Sequence, residues 1–233
     1  MLRLIHYSLC PLSRSIRLAL GECAMVVELD EERPWAWRHD FLMLNPAGTL
    51  PVLIRAQGFV LAGAYAISEY LAETHSGKPN GEGAPHNPLF PGSAIERAEI
   101  RRLVDWFQIK MDQEASRYFL EERVYQRFVD LGRSSPDTEI IRAGRANLRY
   151  HLTYICHLLE ARQWLAGEAL SFADLAAAGQ LSVLDYLGEV PWEEFPKAKA
   201  WYAALKARPS FKPLLADRLP GVPPPPIYAE LEF

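Results

Sequence analysis

Cysteine is scarce, basic residues do not outnumber acidic ones, and no long apolar run occurs. Each shortage closes off a class of function. Only Cys10, Cys23 and Cys156 are present among 233 residues, and an odd count cannot form a closed disulfide framework. The expected state is reduced thiols in the cytoplasm. No apolar stretch approaches the roughly 20 residues that span a bilayer. Met1-Leu2-Arg3-Leu4-Ile5-His6-Tyr7 runs straight into strand-like sequence, without the apolar h-region of a signal peptide. Lys and Arg number 25 against 29 Asp and Glu, for a net charge of −4, so no concentrated basic face is on offer to nucleic acid. The local set Arg97, Arg101 and Arg102 alternates with Glu96 and Glu99, as on a solvated helix face. There is no Gly-rich phosphate loop. His151 and His157 stand six apart, off a common helix face, and make no metal pattern.

What is present is the ordinary material of a packed protein, 49% hydrophobic and 23% charged, in a chain long enough for two cores. Residues 2–7 read as a strand. Pro11 suits the first turn of the helix expected over 12–22, because its missing N–H costs nothing there. Leu12, Ile16, Ala19 and Leu20 make that helix's apolar face, with Arg14 and Arg17 elsewhere. Met25-Val26-Val27-Glu28-Leu29 reads as a second strand. Residues 34–43 form a short helix or irregular segment rich in Trp35, Trp37 and Phe41. Pro51–Ile54 and Phe59–Leu61 make a hairpin, and 63–75 a helix. The order β-α-β-α-β-β-α predicts a mixed four-stranded sheet. Gly and Pro then crowd 76–92 and mark a linker. Helical patterns follow over 93–130, 138–163, 172–187, 195–207 and 210–218. Ser171-Phe172-Ala173-Asp174 has capping-box spacing at one of those helix starts. The expected divisions are an α/β domain over 1–76, a linker over 77–92, an all-helical domain over 93–219 and a Pro-rich tail over 220–233. Cys23 and Cys156 are expected as small buried apolar groups.

Taken in order, these segments resemble a glutathione transferase over nearly the whole chain. Cys10-Pro11-Leu12-Ser13 follows the first strand, where the family places the residue that meets the glutathione sulfur. Asn45-Pro46-Ala47-Gly48-Thr49-Leu50-Pro51-Val52-Leu53 resembles the segment before the third strand. Its last proline is typically cis, so the resemblance implies a cis Leu50–Pro51 bond, with Leu50 reading the peptide backbone of the ligand. Ser171 and Asp174 match the family's capping box. The implied fold is a thioredoxin-like N-terminal domain followed by a transferase-type helical domain.

The sequence departs from the family where the γ-glutamyl group would bind. That group sits at a helix N-terminus, where free amides favour an anion, and a Glu/Gln-Ser pair reads it. Here Leu61-Ala62-Gly63-Ala64-Tyr65-Ala66-Ile67 puts Gly63 and Ala64 at those two positions. Each lost hydrogen bond to a charged group costs about 1.5–3 kcal/mol. Two such losses weaken glutathione binding by roughly two to four powers of ten. Thr49 also replaces a frequent basic residue. Two readings of Cys10 stay open: a thiolate activated by the adjacent helix N-terminus, or an inherited position with no turnover, which the loss at Gly63 and Ala64 favours. Ser13 stands where a Cys-x-x-Cys motif has its second thiol, so a two-thiol cycle is not expected. Tyr7 and Ser8 are further positions for sulfur contact.

The chain ends on Pro220-Gly221-Val222, four prolines from Pro223 to Pro226, and then Ile227-Tyr228-Ala229-Glu230-Leu231-Glu232-Phe233. The prolines make an extended, semi-rigid segment. It is either a strap that folds back on its own domain or a docking element, with Tyr228, Leu231 and Phe233 as anchors and Glu230 and Glu232 as steering charges. Exposed Trp35 or Trp37 is a further contact candidate, with core packing the other reading. Transferase fold, degenerate glutathione site and Pro-rich acidic-apolar terminus together resemble the FtsZ-binding branch of the family. That resemblance implies a homodimer at the division site that binds the GTPase FtsZ, curves or bundles its filaments and supports constriction by binding rather than by catalysis. No cofactor is expected on this reading. Glutathione belongs to the alternative, a transferase or thiol reductase using Cys10.

Overall fold

The computed structural model describes residues 2–55, 58–75, 88–129 and 135–230. The N-terminal half is a four-stranded mixed sheet in the order β2-β1-β3-β4. Strand β1 (Arg3–His6) pairs parallel with β2 (Glu28–Glu31) and antiparallel with β3 (Val52–Arg55), which in turn pairs antiparallel with β4 (Phe59–Ala62). Helix α1 (Pro11–Glu22) makes the parallel crossover, α2 (His39–Leu44) leads toward β3, and α3 (Ala64–Thr74) follows β4. As the central strand, β1 buries Leu4, Ile5 and His6 in succession, as expected of a strand covered on both faces.

The second strand starts later than its apolar pattern predicts. Residues 23–25 close the end of α1: Cys23 N–H bonds Ala19 O at 2.9 Å, Met25 N–H bonds Leu20 O at 2.9 Å, and Ala24 sits at φ 49°. The pairing register begins only at Glu28, opposite Arg3, and Val26 is left 94% exposed. Helix termination, which apolar periodicity does not report, takes the residues that looked like strand.

The rest is helical. Helix α4 (Ala94–Asp105) opens on a capping box in which Ser93 N–H donates to Glu96 Oε2 at 2.6 Å. It continues through a π-type segment, Trp106–Ser116, into α5 (Arg117–Arg123). Then come α6 (Thr138–Leu158), α7 (Phe172–Tyr186), α8 (Pro196–Lys206) and the single turn α9 (Lys212–Leu215). At the start of α7, the Ser171 N–H and hydroxyl donate to Asp174 Oδ2 at 3.0 and 3.1 Å. The other carboxylate oxygen accepts from Leu165 N–H and Trp201 Nε1. Asp174 is thereby fully buried yet satisfied. Among the described residues, no helix is long and apolar enough to cross a membrane.

Every residue of α7 is buried, because this helix is the shared wall of both halves. It lies along α1 at very close range. A Cβ on Gly179 would come within 2.6 Å of Pro11 O and 3.0 Å of Ser15 N, so only glycine permits the approach. Cys23 is buried as expected, whereas Cys156 is only half-buried. Gly179→Ala meets backbone rather than a yielding side chain. It should cost about 1–3 kcal/mol, read as a lower urea midpoint at unchanged m-value.

Candidate functional site

The turn after β1 delivers Cys10 to the N-cap of α1, where its sulfur accepts the Ser13 N–H at 3.4 Å. A helix N-terminus ordinarily lowers a thiol's pKa. Here burial opposes it and wins: desolvation pushes the Cys10 thiol up, against the hydrogen bonds from Ser13, and the nearby Asp112 carboxylate adds to the rise. Asp112 reaches this position from the π-type segment, and the same segment sends Gln108 Nε2 to Ser15 Oγ at 3.3 Å. Widened helical turns of this kind re-aim side chains. Tyr7 is 1% exposed, and burial together with Glu31 holds its phenol above the usual range. An aromatic wall covers it. Trp35 meets Tyr7 edge-on at 5.1 Å, stacks on Phe128 at 5.4 Å and leans on Tyr125 at 5.2 Å. Trp35 is therefore half-buried packing, while Trp37 stands 69% exposed at φ 48°. What this pocket offers at neutral pH is a neutral thiol and a neutral phenol behind stacked rings.

The backbone side of the site has the expected outline. The Leu50–Pro51 bond is cis, Leu50 is buried, and Gly63 N–H donates to Pro51 O at 3.0 Å. Thr49 is engaged locally, its carbonyl and hydroxyl accepting from Asn45 Nδ2. Gly63 caps α3 at φ 93° with no side-chain hydrogen bond, and Ala64 is buried behind it. The helix amides are present. The two side chains that would read an amino acid's amino and carboxylate groups are not.

A second centre lies on the far side of the Cys10 turn, and nothing in the residue pattern announces it. Arg14 and Arg17, placed by periodicity away from the apolar face of α1, are buried at 0% and 8% exposure. Arg14 donates to Ser8 O at 2.6 Å, Ser182 O at 3.1 Å, Tyr228 OH at 3.0 Å and Asp217 Oδ2 at 3.1 Å. Arg17 grips Asp217 with two hydrogen bonds of 2.7 and 2.9 Å and reaches Pro213 O at 3.2 Å. The chain beyond α9 folds over this cluster as a strap. Tyr186 OH accepts from Leu219 N–H and donates to Val222 O, both at 2.8 Å, and Tyr228 OH donates to Leu214 O at 3.0 Å. Tyr228 is fully buried, edge-on to Tyr186 at 5.2 Å. This corrects the expectation that Tyr228 is a partner anchor, since it has no surface to present. Residue 230 is exposed; Leu231, Glu232 and Phe233 lie outside the described residues. Arg14 and Arg17 pair with Asp217 across 203 and 200 residues, and Tyr186 with Leu219 and Val222 across 33 and 36, so no local spacing marks them.

A family model for the glutathione S-transferase N-terminal domain matches residues 9–74, and one for the C-terminal domain matches residues 133–209. The chain belongs to the glutathione S-transferase family. Among proteins similar to this glutathione S-transferase relative is FtsZ-localized protein A of Caulobacter vibrioides, 43% identical over 98% of this chain and 96% of that one. The solved structure of FzlA from C. crescentus superposes with a TM-score of 0.93 at 42% identity, covering 100% of this chain and 99% of that one. A crystal structure of a glutathione S-transferase from Sinorhizobium meliloti 1021 gives a TM-score of 0.92 at 47% identity, with full coverage of both chains.

Two outcomes follow from the electrostatics. With a thiol pushed up by burial, Cys10 should react with iodoacetamide at pH 7.5 at least about tenfold more slowly than free cysteine. Peptide-resolved mass spectrometry measures this, and alkylation faster than free cysteine contradicts it. His6, buried beside Arg17, Arg14 and Asp217, is lowered to about 4, chiefly by desolvation and then by Arg17. A histidine depressed on folding stabilises above its ordinary value and loses that contribution as pH falls. Between pH 6.5 and 4 His6 therefore withdraws about 3 kcal/mol. His151, also lowered to about 4 by burial against the pull of Glu114, acts in the same window. His6→Gln should flatten the pH profile of urea unfolding by roughly half.

Proposed function

We propose that this protein is a non-catalytic, transferase-fold partner of FtsZ that acts at the division site as a homodimer. The observation that carries this reading is the near full-length similarity to a protein named for its FtsZ localization, at 43% identity. The site geometry supports it from the other side. A half-buried Cys10 with its thiol pushed up and the missing side chains at Gly63 and Ala64 leave little with which to bind or activate glutathione. Chemistry is then not what this fold is for. A two-fold dimer has two copies of every docking surface, so it can bridge neighbouring filaments and bundle or curve them, because bivalency raises effective concentration without new contacts. The acidic-apolar chain end remains the proposed docking element, with Glu230, Leu231, Glu232 and Phe233 as its residues and Trp37 as a second exposed candidate.

The test is cosedimentation with GTP-assembled FtsZ, using the full chain and a truncation after Glu230 that spares buried Tyr228. The full chain should pellet with filaments and the truncation should not. Equal pelleting removes the tail as docking element, and no pelleting of either removes the FtsZ assignment. In the same preparation, the protein should wash off immobilised glutathione. Tight retention together with turnover of a model electrophile that is lost in Cys10→Ala would establish the enzyme reading instead.

A further inference from the structure

Side chains of the helical core and of α1 hold the strap at both of its ends. Four prolines in a row remove four N–H donors. Its last part is one short 3-10 turn, Pro226–Ala229, closed at its ends by Tyr228 N–H to Pro225 O and Glu230 N–H to Ile227 O. Its beginning is pinned by Tyr186 at Leu219 and Val222, and by Arg127 Nη1 at Gly221 O, 2.6 Å away. Its end is pinned by Tyr228. The flanking residues Ile227 and Ala229 are exposed, Ile227 at 45%, so Tyr228 is the last described side chain that enters the core. Its hydroxyl is saturated, accepting from Arg14 and donating to Leu214 O.

We propose that Tyr228 is a latch that fixes where and in which direction the chain end leaves the protein, and that Arg14 is the residue that positions it. This rests on the reading that the chain end docks a partner. Arg14 suits the role because it is itself immobile. It is fully buried on α1, and the acceptors it holds besides Tyr228 come from the Cys10 turn, α7 and Asp217. A phenol seated on such a fixed donor holds the exposed residues on either side of it, Ile227 and Glu230, in one geometry. Holding a docking segment in its bound direction lowers the ordering cost of association, so the latch contributes to affinity without touching the partner.

The experiment uses full-length wild type, Tyr228→Phe and Tyr186→Phe. Tyr228→Phe keeps the ring and loses only the hydroxyl. Tyr186→Phe loosens the start of the strap and leaves the Tyr228 seat intact, and so serves as a control for general destabilisation. Thermal melting, hydrogen–deuterium exchange of peptides covering 219–230, and binding to GTP-assembled FtsZ are measured on all three. Tyr228→Phe should stay folded, exchange faster over 227–230 and bind about tenfold more weakly. Tyr186→Phe should exchange faster over 219–222 and bind like wild type. Unchanged exchange over 227–230 in Tyr228→Phe overturns the latch. Faster exchange there with wild-type affinity overturns its role in docking, as does equal loss of affinity in both variants. If wild type itself does not bind FtsZ, the division reading falls and the docking role falls with it, while the exchange data still decide whether Tyr228 pins the strap.

Discussion

One carboxylate between two buried guanidiniums organises this structure. Asp217 accepts from Arg14 and Arg17 together, and the donors left over go to carbonyls of the Cys10 turn, α7 and the α9 segment, and to the Tyr228 hydroxyl. Two cations against one anion, at 0% and 8% exposure, are tolerable because carbonyls and a phenol share the solvation with the carboxylate. Removing one member of such a cluster leaves a buried charge uncompensated and costs about 3–5 kcal/mol. The sheet half, the helical half and the strap are therefore three parts of one electrostatic unit. A parallel contact ties the other end of α1, where Glu22 takes two hydrogen bonds from Arg208 and one from Ser210.

The apolar architecture was legible from residue pattern. The strand and helix order, the mixed sheet, the cis proline and the helical second half all follow from periodicity, turn residues and family resemblance, because those signals are local. The misreadings share a cause. Met25-Val26-Val27 looks like strand, yet helix α1 needs residues 23–25 to close. Arg14 and Arg17 fall off the apolar face of α1 by periodicity, yet they are buried at 0% and 8% exposure. Tyr228 looks like an exposed anchor, yet it is core. In each case the deciding partner is a backbone carbonyl or a residue from the other end of the chain, and composition within a window holds no trace of it.

The transferase frame is more fully retained here in backbone than in side chains. The backbone frame that would hold a peptide is retained at Leu50, Pro51 and the start of α3. The side chains around it have turned to packing: Cys10 caps a helix, Tyr7 sits under Trp35, and Thr49 satisfies Asn45. A nearby cation, which makes a thiol reactive, is replaced here by the Asp112 carboxylate, and the half-buried Cys10 thiol is pushed up by desolvation. The frame joins the sheet part and the helical part through the close approach of α1 and α7 at Gly179.

The distance in sequence between Arg17 and Asp217 is 200 residues. On a ribosome, the sheet half emerges first and can begin to collapse as a unit. The anion that neutralises its two inward-facing arginines follows 200 residues after Arg17. Without Asp217, α1 would turn two unpaired cations toward α7 and the strap, and burying them would carry a desolvation cost. Burial of α1 therefore depends on Asp217, and a chain cut short before it lacks the carboxylate that pairs with Arg14 and Arg17.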